Sequence, residues 1–199
     1  MPNWCNTTIK VSGGSEAVKK FIDLHTVKNI VYLYTIHEFL SQHKNQEFLD
    51  LHTINEFLKS HTVEEEFKFS FNTLIPVPDD YENENEKYVN WCVEHWGTKW
   101  DIDSSDYYIE KDSVTVTGLT AWSPPAEWCK TVAKQFPKLQ IELLYYEPGM
   151  AFYGRSVYSG DSIDDESYEI TDDDYVDIEN DPEPAGEFKK FLDTYGMAY

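Results

Sequence analysis

Short stretches that alternate polar and apolar residues, each closed by glycine or proline, dominate this chain and commit it to a sheet. Residues 6 to 12, Asn-Thr-Thr-Ile-Lys-Val-Ser, alternate like a half-buried strand and stop at Gly13-Gly14. Ser15 has N-cap chemistry, and from Glu16 the apolar positions Ala17, Val18, Phe21, Ile22 and Leu24 recur at helical spacing. A strand therefore leads directly into an amphipathic helix. Phe67 to Leu74 alternates at period two and ends at Pro76-Val-Pro78, which predicts a further strand leaving into a turn. Tyr88 to Trp96 predicts a short helix with Val89, Cys92, Val93 and Trp96 on one face, stopped by Gly97. Strands are predicted around Trp100 to Asp103 and over Ser113 to Ala121. Pro124-Pro125 opens a helix through Phe136, with Trp128, Val132 and Phe136 at spacings of four and Ser123 placed as its N-cap. Leu139 to Glu147, the turn at Pro148-Gly149 and Ala151 to Tyr158 predict a hairpin. Strands outnumber helices, so the expected class is α+β, an antiparallel sheet with helices on one face.

The length of 199 residues suits one domain with appended segments, and 41% hydrophobic with 16% aromatic residues is too apolar for a disordered chain. No apolar run approaches the roughly 20 residues of a membrane span, and the N-terminus lacks the basic and apolar regions of a signal peptide. The expected location is the host cell cytoplasm. Cys5, Cys92 and Cys129 stand far apart in an odd number, which predicts reduced thiols rather than a disulfide framework or a Cys-x-x-Cys motif.

From Phe21 to Glu65 a nine-residue period appears: FIDLHTVKN, IVYLYTIHE, FLSQHKNQE, FLDLHTINE and FLKSHTVEE. Thr35, Thr53 and Thr62 each precede a glutamate by three residues, at Glu38, Glu56 and Glu65, the spacing of a capping box. Several short helices, or one helix buried on two sides, satisfy this period, because nine residues make 2.5 helical turns at about 3.6 residues each.

Against 37 Asp and Glu stand 16 Lys and Arg, a formal charge of −21 that repels nucleic acid and anionic membrane and attracts a basic partner. The charge is densest between Asp161 and Glu183, where twelve residues are acidic, and no Lys or Arg lies between Arg155 and Lys189. Tyr168, Ile170, Tyr175, Val176 and Ile178 interrupt the acids, so this is not a purely solvating tail. Helical or extended, it spaces carboxylates at about one or two of the ~3.4 Å phosphate steps of a DNA strand. A closing helix is predicted over Glu187 to Tyr195, with Phe188, Phe191 and Leu192 inward and Gly196 as C-cap.

Four motifs in order, Met1-Pro-Asn-Trp-Cys-Asn6, Trp96-Gly-Thr-Lys-Trp-Asp101, Thr120-Ala-Trp-Ser-Pro-Pro125 and Tyr146-Glu-Pro-Gly149 followed by Phe152 and Gly154, carry a resemblance. Over residues 1 to 22 and 67 to 158 the chain resembles the ferredoxin-like domain family named after the plasmid protein YubB, of phages and conjugative elements. The resemblance implies a ferredoxin-like antiparallel sheet and no established activity. It divides the chain into a ferredoxin-like domain at 1–160, carrying a helical repeat insertion at 26–66, and an acidic segment with closing helix at 161–199. The insertion and the acidic segment lie outside the resemblance.

Candidate chemistry is sparse. His25, His37, His43, His52 and His61 follow the repeat and form no HExxH or Cys/His pattern, and Asp172-Asp173-Asp174 lacks the spacing of a calcium loop, so no metal and no cofactor are expected. Ser123 lacks the G-x-S-x-G elbow of a hydrolase nucleophile. The expected function is non-enzymatic: a phage or mobile-element protein that inhibits a host nucleic-acid-binding defence complex, such as a CRISPR effector, by acidic mimicry of nucleic acid. Asp164, Asp165, Glu166, Tyr168, Glu169, Asp172, Asp173, Asp174, Tyr175, Asp177 and Glu179 are the expected partner-binding residues, their carboxylates pairing with Lys and Arg and their tyrosines adding contact area. A first alternative is a ligand-binding or hydrolytic pocket between the Trp96 and Thr120 motifs, using Trp96, Lys99, Trp100, Asp101, Trp122 and Glu147. A second is an adaptor that binds a partner through the Phe-Leu repeats.

Overall fold

A computed structural model describes residues 3–28, 41, 65–81, 85–178 and 181–199. The nonapeptide array over 29–64, with His37, His43, His52 and His61, lies outside the described residues apart from Ser41, as does Glu179. Two compact units divide the chain, one comprising Met1–Leu24 and Phe69–Tyr199, the other His25–Lys68. In the second unit, β2 (Thr26–Lys28) pairs antiparallel with β3 (Glu65–Phe67), and the buried His25 ring lies 6.0 Å from that of Phe67.

The first unit is built on six antiparallel strands: β1 (Trp4–Gly13), β4 (Asp103–Ile109), β5 (Ser113–Ala121), β6 (Leu139–Glu147), β7 (Phe152–Ser159) and β8 (Ser162–Glu169). Their order across the sheet is β4-β5-β1-β6-β7-β8. This is the antiparallel α+β architecture read from the sequence. Cys5, Thr7, Ile9 and Val11 of β1 share a face with Thr120 and Val116 of β5 and with Tyr145, Leu143 and Ile141 of β6. On that face lie α1 (Ser15–His25), α2 (Asn85–Trp96) and α3 (Ala126–Gln135). Phe21 meets Phe136 edge-on at 6.2 Å, Phe69 and Phe71 pack on Trp128 at 5.3 and 5.2 Å, and Phe71 packs on Trp96 at 5.8 Å. The indole N–H groups of Trp96 and Trp128 donate to the carbonyls of Ile75 and Phe71, so both large rings are buried without an orphaned donor.

The opposite face is apolar only on one side of the sheet. Leu144 and Tyr146 of β6 and Tyr153 of β7 are buried there under Phe188, Phe191 and Leu192 of α4 (Gly186–Tyr195). Burial of each such side chain contributes roughly 1.5–3 kcal/mol. Gly196, at φ +64, ends α4 in the left-handed conformation expected of a C-cap glycine. Residues 161–199 thus add β8 to the sheet, a small β9 (Tyr175–Ile178) and β10 (Asp181–Pro184) pair, and the closing helix.

Three local expectations change. Phe67 to Leu74 is not one strand. β3 ends at Phe67, and Phe71–Thr73 is a turn of 3-10 helix, because Asp101 draws in the Ser70 hydroxyl and the Phe71 amide and bends the segment while its phenylalanines stay inward. The strand near Trp100 begins at Asp103 instead, since Lys99 to Ile102 turn to carry Asp101 to that contact. Ser123 does not cap α3; its hydroxyl donates to Gly97 O at 2.5 Å and ties two loops together.

Candidate partner-binding surface

A strand without an apolar face can sit only where water reaches both sides. β8, Ser-Ile-Asp-Asp-Glu-Ser-Tyr-Glu, is such a strand, and all eight of its residues are exposed at the sheet edge. A two-residue turn, Gly160-Asp161 with Gly160 at φ +57, joins it to β7 and sets the register. Tyr168 stands opposite Tyr153, Glu166 opposite Arg155, Asp165 opposite Ser156 and Asp164 opposite Val157.

These pairings hold the strand. The Tyr168 and Tyr153 rings stack at 5.3 Å, and Ser156 Oγ donates to Asp165 Oδ1 at 2.5 Å. Arg155 is bonded through Nε to Glu142 at 2.6 Å and lies near Glu166, whose carboxylate accepts the Tyr168 hydroxyl at 3.3 Å. The Glu166 charge beside it raises the Tyr168 phenol. Asp164, Glu166 and Glu169 extend along the solvent-facing edge, continued by exposed Asp172 and Asp173.

Asp174 and Tyr175, expected at this surface, turn inward instead. Asp174 is only 7% exposed. Its carboxylate accepts the Thr171 amide and hydroxyl in a capping box at Asp172–Asp174, and the Phe188 amide at the start of α4. Burial alone would raise its pKa, but these hydrogen bonds outweigh burial and hold it below the ordinary carboxylate value. Tyr175 packs against Phe188 and Tyr199, each 6.2 Å away, and burial pushes its phenol up. Of Asp177 only the backbone, in β9, is described.

Between β8 and α4 opens a cleft of about 650 Å³. Tyr153, Tyr168, Phe191 and Tyr195 wall it, Glu166, Glu169 and Asp173 lie at its rim, and Lys190 lines it too, paired with Glu187 at 2.5 Å. Tyr153, Phe191 and Tyr195 are absent from the sequence-derived site. The two-residue turn was the available signal, since it sets Tyr168 opposite Tyr153.

Three of the sequence motifs meet around a lysine rather than a pocket of acids, and Gly149 of the fourth lies against Asn3. Lys99 Nζ lies 4.8 Å from the Trp100 ring and 4.3 Å from the Trp122 ring, and Trp4 packs on Trp100 at 6.0 Å. Trp122 is 41% exposed and adopts φ +76, held by its amide on Asn3 O at 2.9 Å. Trp96 is fully buried. Asp101 is engaged by Ser70, Phe71 and Ile102, while buried Glu147 accepts the amides of Gly149 and Met150. Asp101 and Glu147 are therefore loop-organising carboxylates, not the polar groups of a ligand pocket.

The three thiols are buried, and burial pushes Cys5 up to about 12 and Cys92 up to about 11 and raises Cys129 further. Among the described residues no cluster of His, Cys, Asp and Glu has the geometry to hold a metal, and no helix is long and apolar enough to cross a membrane.

Comparison with known proteins supports the fold. Residues 95–193 match the family model described as the ferredoxin-like domain in Api92-like protein. Among solved structures, the crystal structure of a protein api92 from Yersinia pseudotuberculosis is similar at 12% sequence identity and a TM-score of 0.50. The likeness covers 86% of this chain and 99% of that one. Both likenesses support a ferredoxin-like fold, and neither carries the YubB name. No curated protein matches.

Proposed function

We propose, from a ferredoxin-like domain of the Api92-like type whose outer strand is acidic, that this chain is a non-enzymatic inhibitor. Its target is a host nucleic-acid-binding defence complex, such as a CRISPR effector, whose cationic groove it occupies in place of nucleic acid. One observation carries the reading: β8 presents Asp164, Asp165, Glu166 and Glu169 along a fixed, exposed sheet edge. Same-face residues of a strand are roughly 6.8 Å apart, about two of the ~3.4 Å phosphate steps of one DNA strand. A row of carboxylates already held in place loses less conformational entropy on binding than a flexible acidic tail.

The ligand-pocket alternative is weakened because Asp101 and Glu147 are both committed to loop amides. The test is displacement of labelled DNA from purified CRISPR effectors by the full chain and by a variant carrying Asp164→Asn, Asp165→Asn, Glu166→Gln and Glu169→Gln. Displacement by the parent, lost in the variant and weakened by salt, is the expected result. Displacement that survives neutralisation, or none by the parent, overturns the proposal.

A further inference from the structure

We infer that the outer edge of β8 docks an extended arginine- or lysine-rich segment of the partner, which joins the sheet as a seventh strand. This rests on the acidic-surface reading and specifies how that surface is engaged. The hydrogen-bonding parity of β8 follows from one bond. Ile170 N donates to Ala151 O at 2.8 Å, one step beyond the opposed pair Phe152 and Glu169, so Ile170 and Ala151 also stand opposite each other. Bonded and non-bonded pairs alternate along an antiparallel ladder. Tyr168, Glu166, Asp164 and Ser162 therefore bond to β7, and Glu169, Ser167, Asp165 and Ile163 turn their amides and carbonyls outward. Among the described residues no strand pairs with that edge.

An open edge invites pairing, and charge decides with what. A second copy of this chain would bring Asp164, Asp165 and Glu166 against the same residues and be repelled. A cationic strand meets no such barrier. On the α4 side, its side chains would stand beside Glu166 and Tyr168 at the mouth of the aromatic cleft. Tyrosine faces beside carboxylates that outnumber the one lysine lining the cleft, Lys190, suit a guanidinium or ammonium group. One wall already takes a guanidinium, since Arg155 Cζ lies 5.8 Å from the Tyr195 ring centre.

The probe is a synthetic ten-residue peptide alternating Arg and Thr, added to the isotope-labelled full chain at low salt while amide hydrogen exchange is followed residue by residue. The amides of Ile163, Asp165, Ser167 and Glu169 are expected to slow by about tenfold or more on saturation. Binding without slowing of these four overturns strand addition but leaves the acidic-surface reading standing. No binding at all overturns both. A variant pair gives a second readout. Ser167→Pro keeps every carboxylate and removes one outward amide, which a strand edge tolerates, while Ser167→Ala controls for the hydroxyl that bonds Tyr145. The proline variant is expected to bind the peptide about tenfold more weakly than the alanine variant, corresponding to one lost hydrogen bond. Equal affinity overturns strand addition.

Discussion

Asp174 Oδ1 accepts the Phe188 amide at 3.0 Å, so the most acidic stretch of the chain is pinned to the first turn of the helix that covers the sheet. A carboxylate at a helix start satisfies orphan amides and complements the helix dipole. Asp174→Ala is expected to lower unfolding stability by about 2–3 kcal/mol and Asp174→Asn by less, read from denaturant midpoints. Unchanged midpoints would remove the cap from this account.

Asp174 also predicts a direction with pH. Its folded pKa lies below the unfolded value, so the stabilisation is fully present above the unfolded value and is lost as pH falls through the folded one. Stability of the parent should decline below about pH 4 more steeply than that of Asp174→Asn. Parallel acid curves for the two proteins would contradict this.

Gly154 is a point where three strands crowd. A Cβ there would lie 2.4 Å from Glu166 O and 2.5 Å from the Tyr145 hydroxyl. Gly154→Ala is expected to destabilise by about 2–3 kcal/mol and to loosen β8 in particular, seen as faster amide exchange at Asp164 and Glu166. Exchange at parental rates would show that the neighbours can yield.

The buried thiols set a chemical expectation. Raising Cys5 from 9.0 to about 12 and Cys92 to about 11 cuts the thiolate fraction at pH 8 by about a thousandfold and about a hundredfold. A thiol reagent should therefore label the native chain very slowly and all three cysteines of the unfolded chain readily. Rapid labelling of the native protein would mean that these sites open on the timescale of the reaction.

Much of the sheet was legible because its strands are one-sided or central. Val114, Val116, Gly118 and Thr120 alternate inward along β5, and β6 carries apolar residues on both faces where Leu144 and Tyr146 meet α4. β8 was not legible as a strand. Periodicity reports a difference between two faces, and a strand wet on both has none. The acidic composition identified Asp164, Glu166 and Glu169 as exposed, yet it also swept in Asp174, because composition cannot separate a carboxylate facing water from one holding Thr171 and Phe188. The motifs place Lys99 and Trp122 in one region but not their arrangement: only the meeting of β1, β5 and the loop after α2 sets the lysine between two indole faces.

The strand order has a consequence for how the chain is made. β1 lies mid-sheet, with Ile9 between Val116 and Leu143, yet it leaves the ribosome long before either neighbour. Until β6 has been synthesised, the first strand cannot gain its second flank, so the growing chain holds a bare β-edge up to that point. Such a sheet closes late and through distant pairings, and the interval before closure is when the nascent protein is most exposed to mispairing with other chains.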